Sequence, residues 1–257
     1  MSGLAHATSD TAVLAKRSLL RIRRQPDLLI GFTVQPVMFV LLFVYVFGGA
    51  IETPGLDYVD FLMPGIIVQS MVFGGFVTAL GLAEDLKKGL IDRFRSLPMW
   101  GPAVLTGRIL ADVGTNVIQL VVMLAVGIAV GFRFVTGIPE ILAGVALLLL
   151  IGYAFSWVFA FIGLTASSPE ASNAYGFTIL FPVTFVSSAF VPPDTMPSWL
   201  EPIAEANPFT TMVDAVRALF LDTPAGNDVW GAVAWSFGII AVFGLLSVWR
   251  YRRAVTR

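Results

Sequence analysis

Long apolar runs, separated by short polar segments, occupy most of the chain from residue 28 onward. A helix needs about 20 apolar residues to cross roughly 30 Å of hydrocarbon. Six stretches reach or approach this length, so the pattern predicts an all-α integral membrane protein with six transmembrane helices. The predicted spans are residues 28–49, 61–83, 109–130, 141–165, 174–191 and 229–249.

The segment between the second and third predicted spans, residues 84–98, is the most highly charged part of the chain. Apolar and charged side chains recur there with helical spacing on opposite faces. They are Leu86, Leu90, Phe94 and Leu97 on one face, and Lys88, Asp92 and Arg95 on the other. The pattern predicts a short amphipathic helix that Pro98 ends, because proline has no N–H to donate. The alternative is a solvated loop whose charges only fix the topology.

The amino-terminal arm carries a second amphipathic pattern, over residues 10–25. Arg17, Arg21 and Arg24 share one helical face, and apolar side chains share another. This pattern is typical of an interfacial helix whose basic side faces anionic lipid headgroups. A plain positive flank that orients the first span is compatible with it.

A third amphipathic pattern lies in the long acidic segment before the sixth span, residues 192–222. Its apolar stripe consists of Phe209, Met212, Val213, Val216, Leu219 and Phe220. Five prolines between residues 192 and 208 divide the segment, which predicts short extracellular helices. The stripe would rest on the outer leaflet, cover the outer mouth of the bundle or pack against the ends of the spans.

Lys and Arg are concentrated in three places along the chain. Fourteen of the sixteen lie in residues 16–24, 87–108 and 250–257, and six spans would place all three segments on one side. Cytoplasmic loops carry the excess of Lys and Arg in membrane proteins. The sequence therefore predicts that both termini are cytoplasmic.

The third predicted span carries polar residues on one helical face. They are Arg108, Asp112, Asn116 and Gln119. Polar groups at this depth are expensive against lipid, so the face is expected to point into the bundle or a wet cavity. Gln35 in the first span and Gln69 and Ser70 in the second are candidates to meet it. The face is either part of a polar route for a substrate or a set of interhelical hydrogen bonds.

Composition excludes several functional classes. Of the residues, 57% are hydrophobic and only 13% are charged, whereas about 25% are charged in a soluble domain. The chain has no cysteine and one histidine, so no catalytic or metal-binding cluster of these residues is expected. None of its three lysines follows a glycine, which excludes a Walker A phosphate loop. Every basic cluster abuts a predicted span, so nucleic-acid binding has no support.

Three stretches of the chain together resemble the membrane-spanning subunit of ABC-2 type exporters, of the daunorubicin-resistance permease kind. Residues 84–98, followed by Gly107-Arg108 and Ala111-Asp112, are similar to the family pattern E-x(4)-G, R-x-x-S-L-P, G-R and A-D. Residues 192–200 form the second stretch. The third is Asn207-Pro208-Phe209-Thr210, followed by Asp214-Ala215-Val216-Arg217.

The resemblance implies a single ABC-2 type transmembrane domain over residues 1–257, in which residues 84–98 form a coupling helix. The residues implied for contact with an ATPase are Glu84, Lys88, Leu90, Asp92, Phe94 and Arg95. It also implies two permease subunits, identical or close paralogues, on two cytoplasmic ABC ATPase subunits. Those subunits would hold ATP and Mg²⁺, so this chain would itself be no enzyme and need no cofactor.

The function implied is export of a hydrophobic or amphipathic molecule, drug-like or lipid-like, across the bacterial cytoplasmic (inner) membrane. One alternative within the family is a permease for a polysaccharide or glycolipid. Another is a polytopic membrane protein of a different class, such as a lipid-modifying enzyme or a channel. That class needs a reactive cluster or a ring of pore-lining charges, and neither is evident in the sequence.

Overall fold

The computed structural model describes residues 26–51, 53, 55–87, 103–224 and 226–255. Its α-helices within these ranges are α1 (Pro26–Leu42), α2 (Tyr58–Phe73), α3 (Phe76–Lys87), α4 (Ala103–Val130), α5 (Ile138–Thr165), α6 (Pro169–Phe185), α7 (Glu201–Glu205), α8 (Pro208–Leu221) and α9 (Asp228–Val255). A π-helical turn, Phe43–Phe47, continues α1, and a 3-10 turn, Pro193–Thr195, precedes α7.

The predicted all-helical architecture is confirmed for the described part of the chain. Four of its helical stretches are long and apolar enough to cross a membrane. They are Tyr58–Lys87, Leu105–Val130, Ile138–Thr165 and Asp228–Arg253. These match the second, third, fourth and sixth predicted spans, whereas the first and fifth correspond to the shorter apolar helices α1 and α6.

The fifth predicted span is wrong at its carboxyl end. Helix α6 begins at Pro169 and ends at Phe185, so residues 186–191 lie beyond it. The side chain of Asn207 donates hydrogen bonds to the carbonyls of Val183 and Val186, at 2.7 and 2.6 Å. A helix end needs such partners for its last carbonyls. Apolarity alone did not reveal this cap, which comes from a residue 21 positions further along the chain.

Helix α5 lies at the centre of the described bundle and packs against α2, α3, α4, α6, α8 and α9. Glycines let the neighbours approach it closely. A Cβ atom at Gly163 would lie 2.5 Å from the carbonyl oxygen of Ala79 in α3, and one at Gly144 would lie 2.4 Å from the ring of Phe220 in α8. Small residues at helix contacts are typical of bundles in lipid.

Five of the six residues of the stripe predicted within residues 192–222 lie on the buried face of α8, and the sixth, Leu219, is only partly buried. Phe209, Met212, Val213, Val216 and Phe220 are each at most 1% exposed. This burial favours packing against the spans over resting on the outer leaflet. The outward faces of α4 and α9 are instead apolar and exposed, as expected of helices in contact with lipid.

The predicted interfacial helix, residues 10–25, lies outside the described residues. So does most of the predicted coupling helix, since only residues 84–87 of it are described. Glu84 and Lys87 belong to the last turn of α3, which therefore continues the second span to residue 87.

Candidate functional site

The polar face of α4 lies against α3, and two polar pairs join the two helices. Arg108 Nη1 donates to Asp85 Oδ2 at 2.6 Å. One turn further along α4, the Thr78 hydroxyl donates to Asp112 Oδ2. These four residues are called the α3–α4 clamp below. Because α3 ends at residue 87 and α4 begins at residue 103, the clamp ties together the two ends of segment 88–102.

Gly81 makes room for the ion pair of the clamp. A Cβ atom there would lie 1.4 Å from Arg108 Nη2, so no larger residue fits while the guanidinium keeps its place. The side chains of Arg108 and Asp85 are only 13% and 16% exposed. Removing one partner of a buried ion pair typically costs about 3–5 kcal/mol, because the other charge is left without compensation.

Asn116 lies two turns further along α4 than Arg108, on the same face. Its side chain lies between Gly74, just before α3, and Gly152 in the middle of α5. Its side chain is 1% exposed, and neither Oδ1 nor Nδ2 has a hydrogen-bond partner among the described residues. Two glycines form the slot that holds it. A Cβ atom at Gly74 would lie 2.3 Å from Oδ1, and one at Gly152 would lie 2.5 Å from Nδ2. Each unpaired buried polar atom costs about 1–3 kcal/mol.

A small cavity lies above Asn116, between α1, α2, α3, α4 and α6. It is lined by the polar residues Gln35, Gln69, Ser70 and Gln119, by Pro36, and by Phe39, Phe73, Phe76, Phe177 and Phe181. This aromatic cavity has a volume of about 30 Å³ and no charged side chain among its lining residues. That volume holds about two water molecules.

The structure divides the predicted polar set between two places. It brings Gln35, Gln69 and Gln119 together at the aromatic cavity, whereas Arg108 and Asp112 lie in the clamp. The side-chain amide of Gln69 donates to the hydroxyl of Thr184 in α6, at 3.1 Å. The lower part of the face makes interhelical hydrogen bonds and the upper part faces a cavity, and a polar route for a substrate stays a prediction.

The sequence interpretation missed the partners on α3. Thr78, Gly81 and Asp85 are spaced at i, i+3 and i+7, which places them on one face of a helix. That face complements the polar face of α4, and the spacing was the signal that would have found it. Thr184 gave no such signal, since it is a single hydroxyl in an apolar stretch.

A second polar cluster fixes α8 to the start of α2. Arg217 is 6% exposed and forms an ion pair with Asp214. Its Nη2 also donates to the carbonyls of Phe61 and Ser188, at 3.1 and 2.9 Å. Burial lowers the pKa of Arg217, and the adjacent Asp214 carboxylate opposes that shift. The cluster therefore positions α8 and segment 186–191 against the second span.

Comparison with known proteins gives a consistent result. The family described as ABC-2 type transporter matches residues 9–221. The daunorubicin resistance ABC transporter permease protein DrrB1 of Streptomyces coeruleorubidus is 36% identical over 250 residues, which cover 96% of this chain and 88% of that protein. The probable doxorubicin resistance ABC transporter permease protein DrrC of Mycobacterium tuberculosis is 25% identical over 249 residues, covering 96% and 90% of the two chains. A putative transport permease, ycf38, of Cyanophora paradoxa is 26% identical over 212 residues, which are 81% of this chain and 73% of that one.

Proposed function

This chain belongs to the ABC-2 type transporter family, and we propose that it moves amphipathic molecules out across the cytoplasmic membrane with ATP hydrolysed by a separate subunit. It is a multi-pass membrane permease, and permeases of this family work with an ABC ATPase subunit. The observation that carries the proposal is the 36% identity to a daunorubicin resistance permease over 96% of the chain.

The cargo class follows from the named relatives and from the chemistry of the aromatic cavity. Two relatives are named for resistance to daunorubicin and doxorubicin, which are amphipathic aromatic drugs. The cavity offers the same two kinds of contact, since phenylalanine rings suit an aromatic surface and glutamine amides suit polar substituents. We therefore propose Gln35, Gln69 and Gln119 as residues that contact the cargo.

Coupling to the ATPase is assigned to residues 84–98. An ATPase biases the spans only if its nucleotide states differ in their contact with the permease. The proposed contacts are Glu84, Lys88, Leu90, Asp92, Phe94 and Arg95, with ATP and Mg²⁺ held by the partner. The α3–α4 clamp supports this role, because a force on segment 88–102 would reach both flanking helices together.

The proposed assembly has two permease copies, identical or closely related, on two ATPase subunits. In it α1 and α6 complete a set of six spans, with both termini and residues 84–98 on the cytoplasmic side. The distribution of Lys and Arg supports this orientation. The interface between the copies would then form part of the route for the cargo.

Charge reversal in the coupling segment tests the proposed contact directly. The variant Asp92→Lys/Arg95→Glu is expected to lower ATP-dependent daunorubicin accumulation in inverted membrane vesicles about tenfold or more. Capture of the ATPase by the tagged permease from a detergent extract is expected to fall in parallel. The matched control is Arg252→Glu, which reverses a charge on the exposed tail of α9. Normal transport and normal capture in the double variant would remove the coupling role from this segment.

A further inference from the structure

The second span is interrupted in the middle of an apolar stretch of 30 residues. Helix α2 ends at Phe73, α3 begins at Phe76, and Gly74 and Gly75 lie between them. Gly74 has φ −54° and ψ −29°, a right-handed conformation that alanine also adopts without strain. The backbone of this conformation therefore does not demand a glycine. Glycine instead leaves the backbone free to change the angle between α2 and α3.

Space is the second reason for a glycine at position 74, and it points to Asn116. The notch left by Gly74 holds the Oδ1 atom of Asn116, as described above. A buried amide with both polar atoms unpaired is a poor choice for packing alone, since an apolar residue of similar size would avoid the desolvation penalty. The carbonyl oxygen of Met71, in the last turn of α2, lies 3.3 and 3.5 Å from the Cβ positions at Gly74 and Gly152. A change in the angle of the interruption would therefore move peptide groups that already lie beside the amide.

The interruption lies between the α3–α4 clamp and the aromatic cavity. The clamp fixes α3 to α4 on the side of residues 78–85. Phe73 and Phe76 flank the interruption, both line the cavity, and their rings stack with centroids 5.5 Å apart. Phe76 also lies 4.8 Å from the ring of Phe177 in α6. A change in the angle between α2 and α3 would therefore move one part of the cavity wall relative to the rest.

Binding of the proposed cargo at the cavity would need such a movement. About 30 Å³ accommodates water but no amphipathic drug. The neighbouring walls also contain irregular helices, because Pro36 lies within α1 and Pro182 within α6. Interior prolines remove a backbone hydrogen bond and favour bending.

We propose that the second span bends at Gly74–Gly75 during the transport cycle, and that this bend opens the aromatic cavity. Asn116 is the positioning residue, because its amide pairs with the peptide groups of the interruption in one of the two states. This inference rests on the proposed function, since nucleotide binding by the partner ATPase supplies the bias between the states. The clamp carries that bias from segment 88–102 to α3 and α4 together.

Distance measurement between spin labels tests the bend, and the cysteine-free chain allows labels at chosen positions without background. Lys87 and Thr165 are exposed at the ends of the neighbouring helices α3 and α5, and Leu110 is exposed on α4. Helix α3 has 12 residues and is about 18 Å long, so a kink of about 20° moves its end by about 6 Å. In the complex with its ATPase, the K87C/T165C distance is expected to shift by about this amount on trapping with ATP and vanadate. The K87C/L110C distance is expected to stay constant, because the clamp lies between those helices.

A matched pair of variants tests the role of the glycine. Gly74→Ala alone would clash with Asn116, so it is combined with Asn116→Ala, and Asn116→Ala alone is the control. Alanine favours a straight helix over glycine by roughly two- to fivefold. The double variant is therefore expected to lower both the label shift and daunorubicin accumulation two- to fivefold below the control. The elution profile of each labelled complex checks that it is folded.

The outcomes separate this inference from the proposed function. Absence of ATP-dependent accumulation by the wild-type complex would overturn the proposed function, and the label distances would still decide whether the span bends. A wild-type complex that transports daunorubicin without a shift of the K87C/T165C distance would overturn the bend. Equal transport by the double variant and its control would overturn the role assigned to Gly74.

Discussion

Arg108 is the residue whose environment explains most about the site. Its guanidinium lies over Gly81, pairs with Asp85 and is largely buried, so α3 and α4 are held at one fixed spacing. A charge inside an apolar bundle is retained only where it has compensation, and such residues mark functional positions in membrane proteins. The position of Arg108 on an inward face could be predicted from helical spacing. Its partner Asp85 was missed, although the spacing of Thr78, Gly81 and Asp85 marks a complementary face on α3.

The ion pair of the clamp is open to a charge-swap experiment. Asp85→Ala leaves Arg108 without its carboxylate and is expected to destabilise the protein by about 3–5 kcal/mol and to lower transport about tenfold. The swapped variant Asp85→Arg/Arg108→Asp restores the opposite charges and is expected to recover part of both losses. Thermal unfolding in detergent and daunorubicin accumulation in vesicles measure the two effects. Lys87→Gln, an exposed change on the same helix, is the control. A swapped pair no better than Asp85→Ala would show that the clamp does not depend on charge pairing.

At the level of elements, glycines at the contacts let the backbones of neighbouring segments pack directly against each other. A Cβ atom at Gly65 in α2 would lie 2.2 Å from the carbonyl oxygen of Ala189, in the segment that follows α6. The contact lets segment 186–191 lie directly on the second span, beside the Arg217 cluster. The helices themselves could be predicted from apolar length, because crossing the bilayer fixes how many residues each needs. The end of α6 could not, since it depends on Asn207 in another element.

Two glycine-to-alanine variants distinguish the effect of close packing on stability from the effect of helix propensity. Gly65→Ala is expected to destabilise the protein by about 1–3 kcal/mol, because the new methyl group overlaps the Ala189 backbone. Gly238→Ala in α9 is the matched control, since a Cβ atom there would have no neighbour within 4 Å. It is expected to stabilise the protein by up to about 1 kcal/mol through helix propensity. Unfolding in detergent, followed by tryptophan fluorescence, measures both. Equal effects of the two changes would contradict the close contact at Gly65.

At the scale of the whole molecule, one polar face runs from the clamp through Asn116 to the aromatic cavity. Residues 84–87, at the end of α3, lie next to the lower end of this face, so a motion applied there has a short route to the cavity. The sequence predicted the helical class, the family and the inward face of the third span. It did not predict that α5 lies at the centre, because every span is apolar and apolarity alone does not rank spans by burial. The match of residues 9–221 to one family confirms the resemblance read from three short motifs.

Topology can be tested with single cysteines, since the chain has none of its own. Asp57, Arg133 and Asp222 are exposed residues between spans, and cysteines there are expected to react with an impermeant maleimide added outside intact cells. Cysteines at Lys87 and Arg252 are expected to react only in inverted vesicles, because the excess of Lys and Arg predicts a cytoplasmic position for both. Labelling of these two positions from opposite sides would contradict the six-span arrangement.

The most direct measurement is daunorubicin transport into inverted vesicles or proteoliposomes that contain this chain together with its ATPase. The expected result is accumulation that requires ATP, stops with vanadate and falls about tenfold when Asp92 and Arg95 are reversed in charge. Daunorubicin movement that is the same with and without ATP, in vesicles where the ATPase is bound and active, would contradict the proposal that a separate motor drives this permease.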